Sequence, residues 1–274
     1  MQQHANDADG SVGRVIVEAR GAQIEVLVQG NGPRVVLLPS LGRGAEDFEP
    51  IAAQLAAAGF RVLRPQPRGI GRSNGAMSGI DMHDYAADIA AVIAFDGDGP
   101  AFIAGHAFGN RVARMLATDR PDMVSGVALI AANVGIAPSP PKVREAIRKS
   151  ANLSLPDGER LEALRFAFFA PGNDATSWLA GWHPEVLAAQ RIAGDRTPRS
   201  EDYAAGRAPV LYLQPEYDPL AHAEDAETYK QALGERVTVV SIERSSHAAV
   251  TEQPAAVSNA LIDFMRRLPA VAAG

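Results

Sequence analysis

The stretch Ile103-Ala104-Gly105-His106-Ala107-Phe108-Gly109-Asn110 decides how the rest of the chain is read. An apolar run from Pro100 to Ala104 leads in, and two glycines flank a His-Ala-Phe trio. Apolar residues at helical spacing follow, with Val112, Met115 and Leu116 on one stripe. The pattern predicts a sharp turn from strand to helix that thrusts the middle side chain of the trio over the end of a sheet. Glycines suit such a turn because a crowded backbone leaves no room for a Cβ. The middle position is where an attacking Ser, Cys or Asp is expected. Here it holds Ala107, whose methyl group cannot attack.

Working outward, the flanking segments alternate between strand and helix. Val15 to Glu18 and Gln23 to Val28, with Ile24, Val26 and Val28 on one face, predict an antiparallel edge pair with one wet face. Val35 to Leu38 is continuously apolar, as a central parallel strand covered on both faces should be. A helix over Phe48 to Ala58 stops at Gly59, and the strand Arg61 to Leu63, a helix over Asp81 to Phe95 and the strand Val127 to Ile130 follow. From about Gly135 to Arg207 the alternation breaks into short helical pieces punctuated by prolines. It resumes with the strand Pro209 to Leu213, a helix over Glu224 to Leu233, the strand Val237 to Ile242 and a helix over Ala255 to Arg267. The alanine-rich end, 270–274, is expected to fray. These patterns predict a doubly wound, mostly parallel α/β sheet, with a core from residues 1–134 and 208–274 and a helical cap from 135–207.

Bulk properties narrow the function. The 274 residues are 47% hydrophobic, enough for a sizeable core. A net charge of -6 without a long Lys/Arg cluster argues against a nucleic-acid partner. Cysteine is absent, which removes disulfides and thiolate metal sites. Neither a signal-peptide pattern nor an apolar run of membrane-spanning length is visible, so a cytoplasmic protein without a membrane partner is expected. Oligomeric state is not legible. The glycines at 69, 71 and 75 do not make a dinucleotide fingerprint, because Asn74 stands where glycine is needed. Asn152-Leu153-Ser154 is a sequon that is expected to stay unmodified, since no signal-peptide pattern is visible.

The chain resembles the α/β-hydrolase fold superfamily over nearly its whole length. The Gly105 to Gly109 turn looks like that family's nucleophile elbow. Leu37-Leu38-Pro39-Ser40-Leu41-Gly42 resembles its oxyanion loop, and Arg68-Gly69-Ile70-Gly71-Arg72-Ser73 its structural turn after the fourth strand. The resemblance implies an acid at Asp218, past the strand ending near Leu213, and a base at His247, in the Ser-Ser-His-Ala loop. It also implies an oxyanion hole from the backbone N–H groups of Leu41 and Phe108. Glu216 lies too close to the strand end and is read as a solvated loop charge. His106 is read as a packed elbow residue and His222 as a helix-surface residue. Phe166, Phe168, Phe169, Trp178, Trp182 and His183 suggest an apolar pocket wall, hence a small, mostly apolar or aromatic substrate. No cofactor or metal is expected.

Ala107 leaves four readings open. A His–Asp pair could activate water directly, for which the aminoacrylate hydrolase-like proteins of this fold offer a similar Gly-His-Ala-Leu-Gly elbow. A serine hydrolase could have been disabled by a Ser-to-Ala change. A cofactor-free lyase, decarboxylase or oxygenase needs the base but no serine. Last, the scaffold could bind a ligand without catalysis. The first is preferred: a hydrolase of a small ester-, amide- or enamine-like substrate.

Overall fold

A computed structural model describes residues 12–134 and 140–268. The elements run β1 (Gly13–Ala19), β2 (Ala22–Gln29), β3 (Arg34–Leu38), α1 (Glu49–Ala57), β4 (Arg61–Pro65), β5 (Asn74–Gly75) and α2 (Met82–Asp96). Then come β6 (Ala101–His106), α3 (Phe108–Asp119), β7 (Val124–Ile130), α4 (Pro141–Ser150), α5 (Asp157–Ala167), α6 (Pro184–Arg196) and α7 (Arg199–Asp202). The chain closes with β8 (Val210–Pro215), α8 (Ala223–Leu233), β9 (Val237–Ile242), α9 (Ala249–Glu252) and α10 (Pro254–Arg267). Strands of one sheet lie in the order β1-β2-β4-β3-β6-β7-β8-β9, with β5 beside β2. From β4 to β9 every pairing is parallel, while β1, β2 and β5 pair antiparallel.

The sheet is covered on both faces because successive residues in the middle of its central strands are apolar. Val36, Leu38 and Ile103 point to the side packed by α2, α3 and α8. Their neighbours Val35, Leu37, Phe102 and Ala104 point to the side packed by α1 and α10. This is the period-2 alternation of a strand with two buried faces.

The expected wet face of the first hairpin belongs to β1 and, on β2, to Gln23. β2 lies between β1 and β4, so its polar Glu25 is buried. Its carboxylate accepts hydrogen bonds from Arg14, Arg72 and the Arg72 backbone. These bonds hold the carboxyl below the ordinary range even though burial, the largest single influence, pushes it up.

Chain order places the functional crevice. β3 is followed outward by β4, and the chain then returns to β6 on the other side of β3. Where strand order reverses, the loops leaving β3 and β6 diverge to opposite faces and open a crevice at their carboxyl ends. Ala107 and Leu41 lie on those two loops. The helices α4 to α7, between β7 and β8, reach the same end: His183 N–H donates to Gly42 O at 2.9 Å and Ala248 N–H to Phe168 O at 2.8 Å. They carry an apolar cluster of their own, which includes Leu164, Phe168, Trp178 and Trp182. The fraying expected at 270–274 lies outside the described residues.

Candidate functional site

The elbow begins with close backbone packing. A Cβ on Gly105 would sit 2.3 Å from the carbonyl of Gly109, and one on Gly109 would sit 2.3 Å from Leu38 O. Both positions exclude any side chain, so β6 and α3 can approach β3 only with glycine there. Between them Ala107 takes φ 48°, ψ -109°, a region that residues with a Cβ rarely adopt. The turn is braced by Asn110, whose side-chain amide donates to Ala107 O and whose Oδ1 accepts from Arg114 Nε at 3.1 Å. Phe108 opens α3, so its N–H is among the first-turn donors without an intrahelical partner.

On the far side of the crevice, loops after β8 and β9 bring together two residues 29 positions apart in sequence. His247 Nδ1 lies 2.9 Å from Oδ2 and 3.1 Å from Oδ1 of Asp218, and both residues are buried. Asp218 Oδ1 also accepts from the N–H groups of Leu220 (2.8 Å) and Ala221 (3.1 Å). A carboxylate so held can only accept, which places the imidazole proton on Nδ1 and leaves Nε2 as the basic nitrogen. His106 is fully buried, and its Nε2–H donates to His247 O at 2.7 Å. Burial first, then the neighbouring His247, pushes the His106 pKa down to about 3, so it stays neutral.

A cavity of about 230 Å3 connects these parts. Its wall includes Ser40, Leu41, Ala107, Phe108 and His247. Of the aromatic residues suggested by sequence as pocket wall, Phe168 and Trp182 line this cavity, whereas Phe169, Trp178 and His183 do not. Trp178 is the support behind it: its indole donates to Thr251 Oγ1 at 2.9 Å, and its carbonyl accepts from Trp182 Nε1 at 2.6 Å. Phe169 packs edge-on against Trp178. His183 faces a separate cleft beside Glu46 and Asp47, where burial, then Arg43, lowers its pKa. Phe166 is 55% exposed and forms no wall. Glu216 is a loop residue whose carboxylate accepts from Arg244 N–H, and His222 is exposed at the start of α8.

Several residues that shape this site carry no local signal in the sequence. Arg43 is buried beside Leu41, its guanidinium 4.4 Å from the centre of Trp178 and 5.0 Å from that of Trp182. It donates twice to Asp47 and once to Ala180 O. Gln190 Oε1 accepts from Gly42 N–H at 2.7 Å, fixing the loop that carries Leu41. Glu252 accepts from the N–H groups of Ser246 and Ala170, and so ties the His247 loop to the segment after α5. Burial is the leading cause of its raised pKa. Only the 3.6-residue spacing of Leu187, Gln190 and Gly194 hints that one face of α6 looks inward. Among the described residues no group of three or more His, Asp or Glu could hold a metal ion. No described helix is long and apolar enough to cross a membrane.

Comparison with known proteins agrees with this architecture. A protein of Variovorax paradoxus (strain S110) named "Putative carbamate hydrolase RutD" is 26% identical over 269 residues, covering 90% of this chain and 96% of its own. The 2-(acetamidomethylene)succinate hydrolase of Mesorhizobium japonicum is 31% identical over 107 residues, covering 39% of this chain and 38% of its own. A thermophilic esterase from Thermogutta terrifontis superposes with a TM-score of 0.77 at 22% identity, over 93% of this chain and 99% of that one. The profile of the Alpha/beta hydrolase family matches residues 35–260. The chain belongs to the alpha/beta hydrolase family, and its relatives in that family include hydrolases.

Proposed function

We propose that this protein is a hydrolase in which the His247–Asp218 pair activates water directly at the position vacated by a nucleophile side chain. The observation that carries the reading is that His247, Ala107, Leu41 and Phe108 share one cavity wall while Asp218 orients the imidazole from behind. The Ala107 methyl leaves room for a water between His247 Nε2 and a bound carbonyl carbon. Nε2 takes one proton as the water oxygen bonds to carbon. The carbonyl oxygen gains the negative charge, facing the N–H groups of Leu41 and Phe108. Collapse of the tetrahedral adduct breaks the bond to the leaving group, which takes the proton back from Nε2. Asp218 stays ionised throughout and stabilises the imidazolium.

The substrate class is a small ester, amide or enamine-like molecule with a mostly apolar body, set against Ile147, Phe168, Trp182 and Leu220. The names of the two curated relatives, a putative carbamate hydrolase and a 2-(acetamidomethylene)succinate hydrolase, are compatible with that class. In this reading residues 135–207 cap a core of 1–134 and 208–274, and the Arg43 and Gln190 contacts fasten cap to core. The test is hydrolysis of a panel of activated acyl esters by the protein, by Ala107→Ser and by His247→Ala, with product masses. Turnover by the protein as it stands, abolished in His247→Ala and adding one water to the products, supports the reading. Undiminished turnover in His247→Ala overturns it.

One observation favours a second reading, that of a serine hydrolase disabled at residue 107. The backbone holds Ala107 at a positive φ that serves to present a side chain, yet the methyl gains nothing from being presented. Strong esterase activity and fluorophosphonate labelling confined to Ala107→Ser would select it.

A further inference from the structure

The lining of the same cavity is rich in arginine. Arg111, Arg191 and Arg199 line the cavity with a single carboxylate, Asp195, among them. Behind the wall, Arg111 and Arg114 share the buried Asp202 at 2.7 Å and 2.9 Å. Among the described residues, the cavity lining and the ion pairs directly behind it hold four guanidinium groups against two carboxylates. The surplus is felt by Arg199: burial first, then the charges of Arg111 and Arg114, lower its pKa, with Asp202 and Asp195 opposing. A concave, partly desolvated wall with surplus positive charge draws an anion, because low-dielectric surroundings focus the field.

The distance to the reacting end is set by α3. Phe108 and Arg111 both line the cavity and lie three residues apart on that helix, about 4.5 Å along its axis. Arg111 is itself fixed in place: it donates to Asp202, to Gly194 O at 2.8 Å and to Thr197 O at 3.1 Å. Arg199 donates to Asn133 O at 3.0 Å. Arg111 is thus built into the contact between α3 and α6–α7, while Arg191 and Arg199 stand exposed at the rim of the same cavity.

Resting on the hydrolase reading above, we infer that the substrate carries a carboxylate or similar anionic group, seated against Arg111, Arg191 and Arg199, a few bonds from its scissile carbonyl. Arg191 and Arg199 are the specificity-determining residues, since Arg111 also holds Asp202. The apolar wall then packs the short chain between the two ends.

The test separates binding from chemistry. Monomethyl glutarate, which has one carboxylate and one ester, and the neutral dimethyl glutarate are titrated calorimetrically into the intact protein and into His247→Ala. The half-ester is expected to bind at least tenfold more tightly than the diester in both proteins, with the preference shrinking in 0.5 M NaCl. Arg199→Gln and Arg191→Gln, with melting temperatures near that of the parent, should each reduce the preference at least threefold. Equal binding of the two esters, or a preference untouched by both arginine variants, overturns the inference whatever the turnover. A retained preference with no hydrolysis of any ester leaves the anion site standing and removes only the hydrolase reading.

Discussion

Nδ1 of His247 sits within hydrogen-bonding distance of both carboxylate oxygens of Asp218, 2.9 Å and 3.1 Å away. The bifurcated contact fixes ring orientation as well as tautomer. Replacing the carboxylate by an amide offers N–H where the imidazole needs an acceptor and favours the wrong tautomer. Asp218→Asn should therefore keep the fold and lower kcat by roughly 10^4-fold, the loss known for a triad aspartate changed in this way. A loss below tenfold, read from initial rates on whichever ester the protein turns over, would remove Asp218 from the mechanism.

Ala107 should be replaceable by glycine with a gain in stability. Its φ of 48° costs a residue with a Cβ on the order of 1–3 kcal/mol, and glycine returns part of that to chain entropy in the unfolded state. Ala107→Gly is expected to raise unfolding free energy by about 1 kcal/mol in urea titrations. A destabilisation of that size would mean that the methyl makes packing contacts worth more than the strain.

Arg43, paired with Asp47 on its own loop after β3, joins that loop to the α4–α7 segment through two tryptophan faces and Ala180 O. Arg43→Ala leaves the half-buried Asp47 without its partner, which costs about 1–3 kcal/mol. The same change frees the loop carrying Leu41, so kcat should fall with stability. Arg43→Lys should recover little, because a lysine cannot stack and fork at once.

His106 makes the fold acid-sensitive. Its pKa falls to about 3 in the folded state against an ordinary 6.5, so between these values the unfolded chain binds the extra proton. Stability from this group is present above pH 6.5 and declines as pH drops, by about 1.4 kcal/mol per unit. His106→Gln keeps a donor for His247 O and removes the titration. Urea midpoints at pH 7 and pH 5 should fall less in the variant than in the parent.

His83 acts in the opposite direction. It lies 2.7 Å from Asp119 and 2.9 Å from Glu201, joining α2 and α3 to α7. Hydrogen bonds to Asp119, then to Glu201, raise its pKa to about 9. Its stabilisation is complete below pH 6.5 and is lost as pH rises through about 9. The site is 44% exposed, so solvent screens it and the effect is small. His83→Gln should lower Tm at pH 6 and leave it unchanged at pH 10.

The sequence by itself determined the strand–helix alternation, the elbow and the sharp boundaries around it. Those features are local: the glycine positions follow from backbone crowding within a few residues, and continuous apolar strands follow from burial on both faces. Asp218 and His247 were legible through the family resemblance, which expects an acid and a base after these two strands; that their side chains meet was left to the fold. Tertiary structure alone decided which side chains share the cavity. Gln190 reaches Gly42 across 148 residues, and Arg43 finds Ala180 across 137. Trp178, Phe169 and His183 carry the same apolar or aromatic character as the wall residues, yet only packing shows that they stand outside the lining. The arginine wall was equally hidden. Arg111, Arg191 and Arg199 come from three helices, and each read alone is an ordinary surface charge. Their sum acts as a site because the fold sets them around one partly desolvated hollow, where charge counts far more than in water.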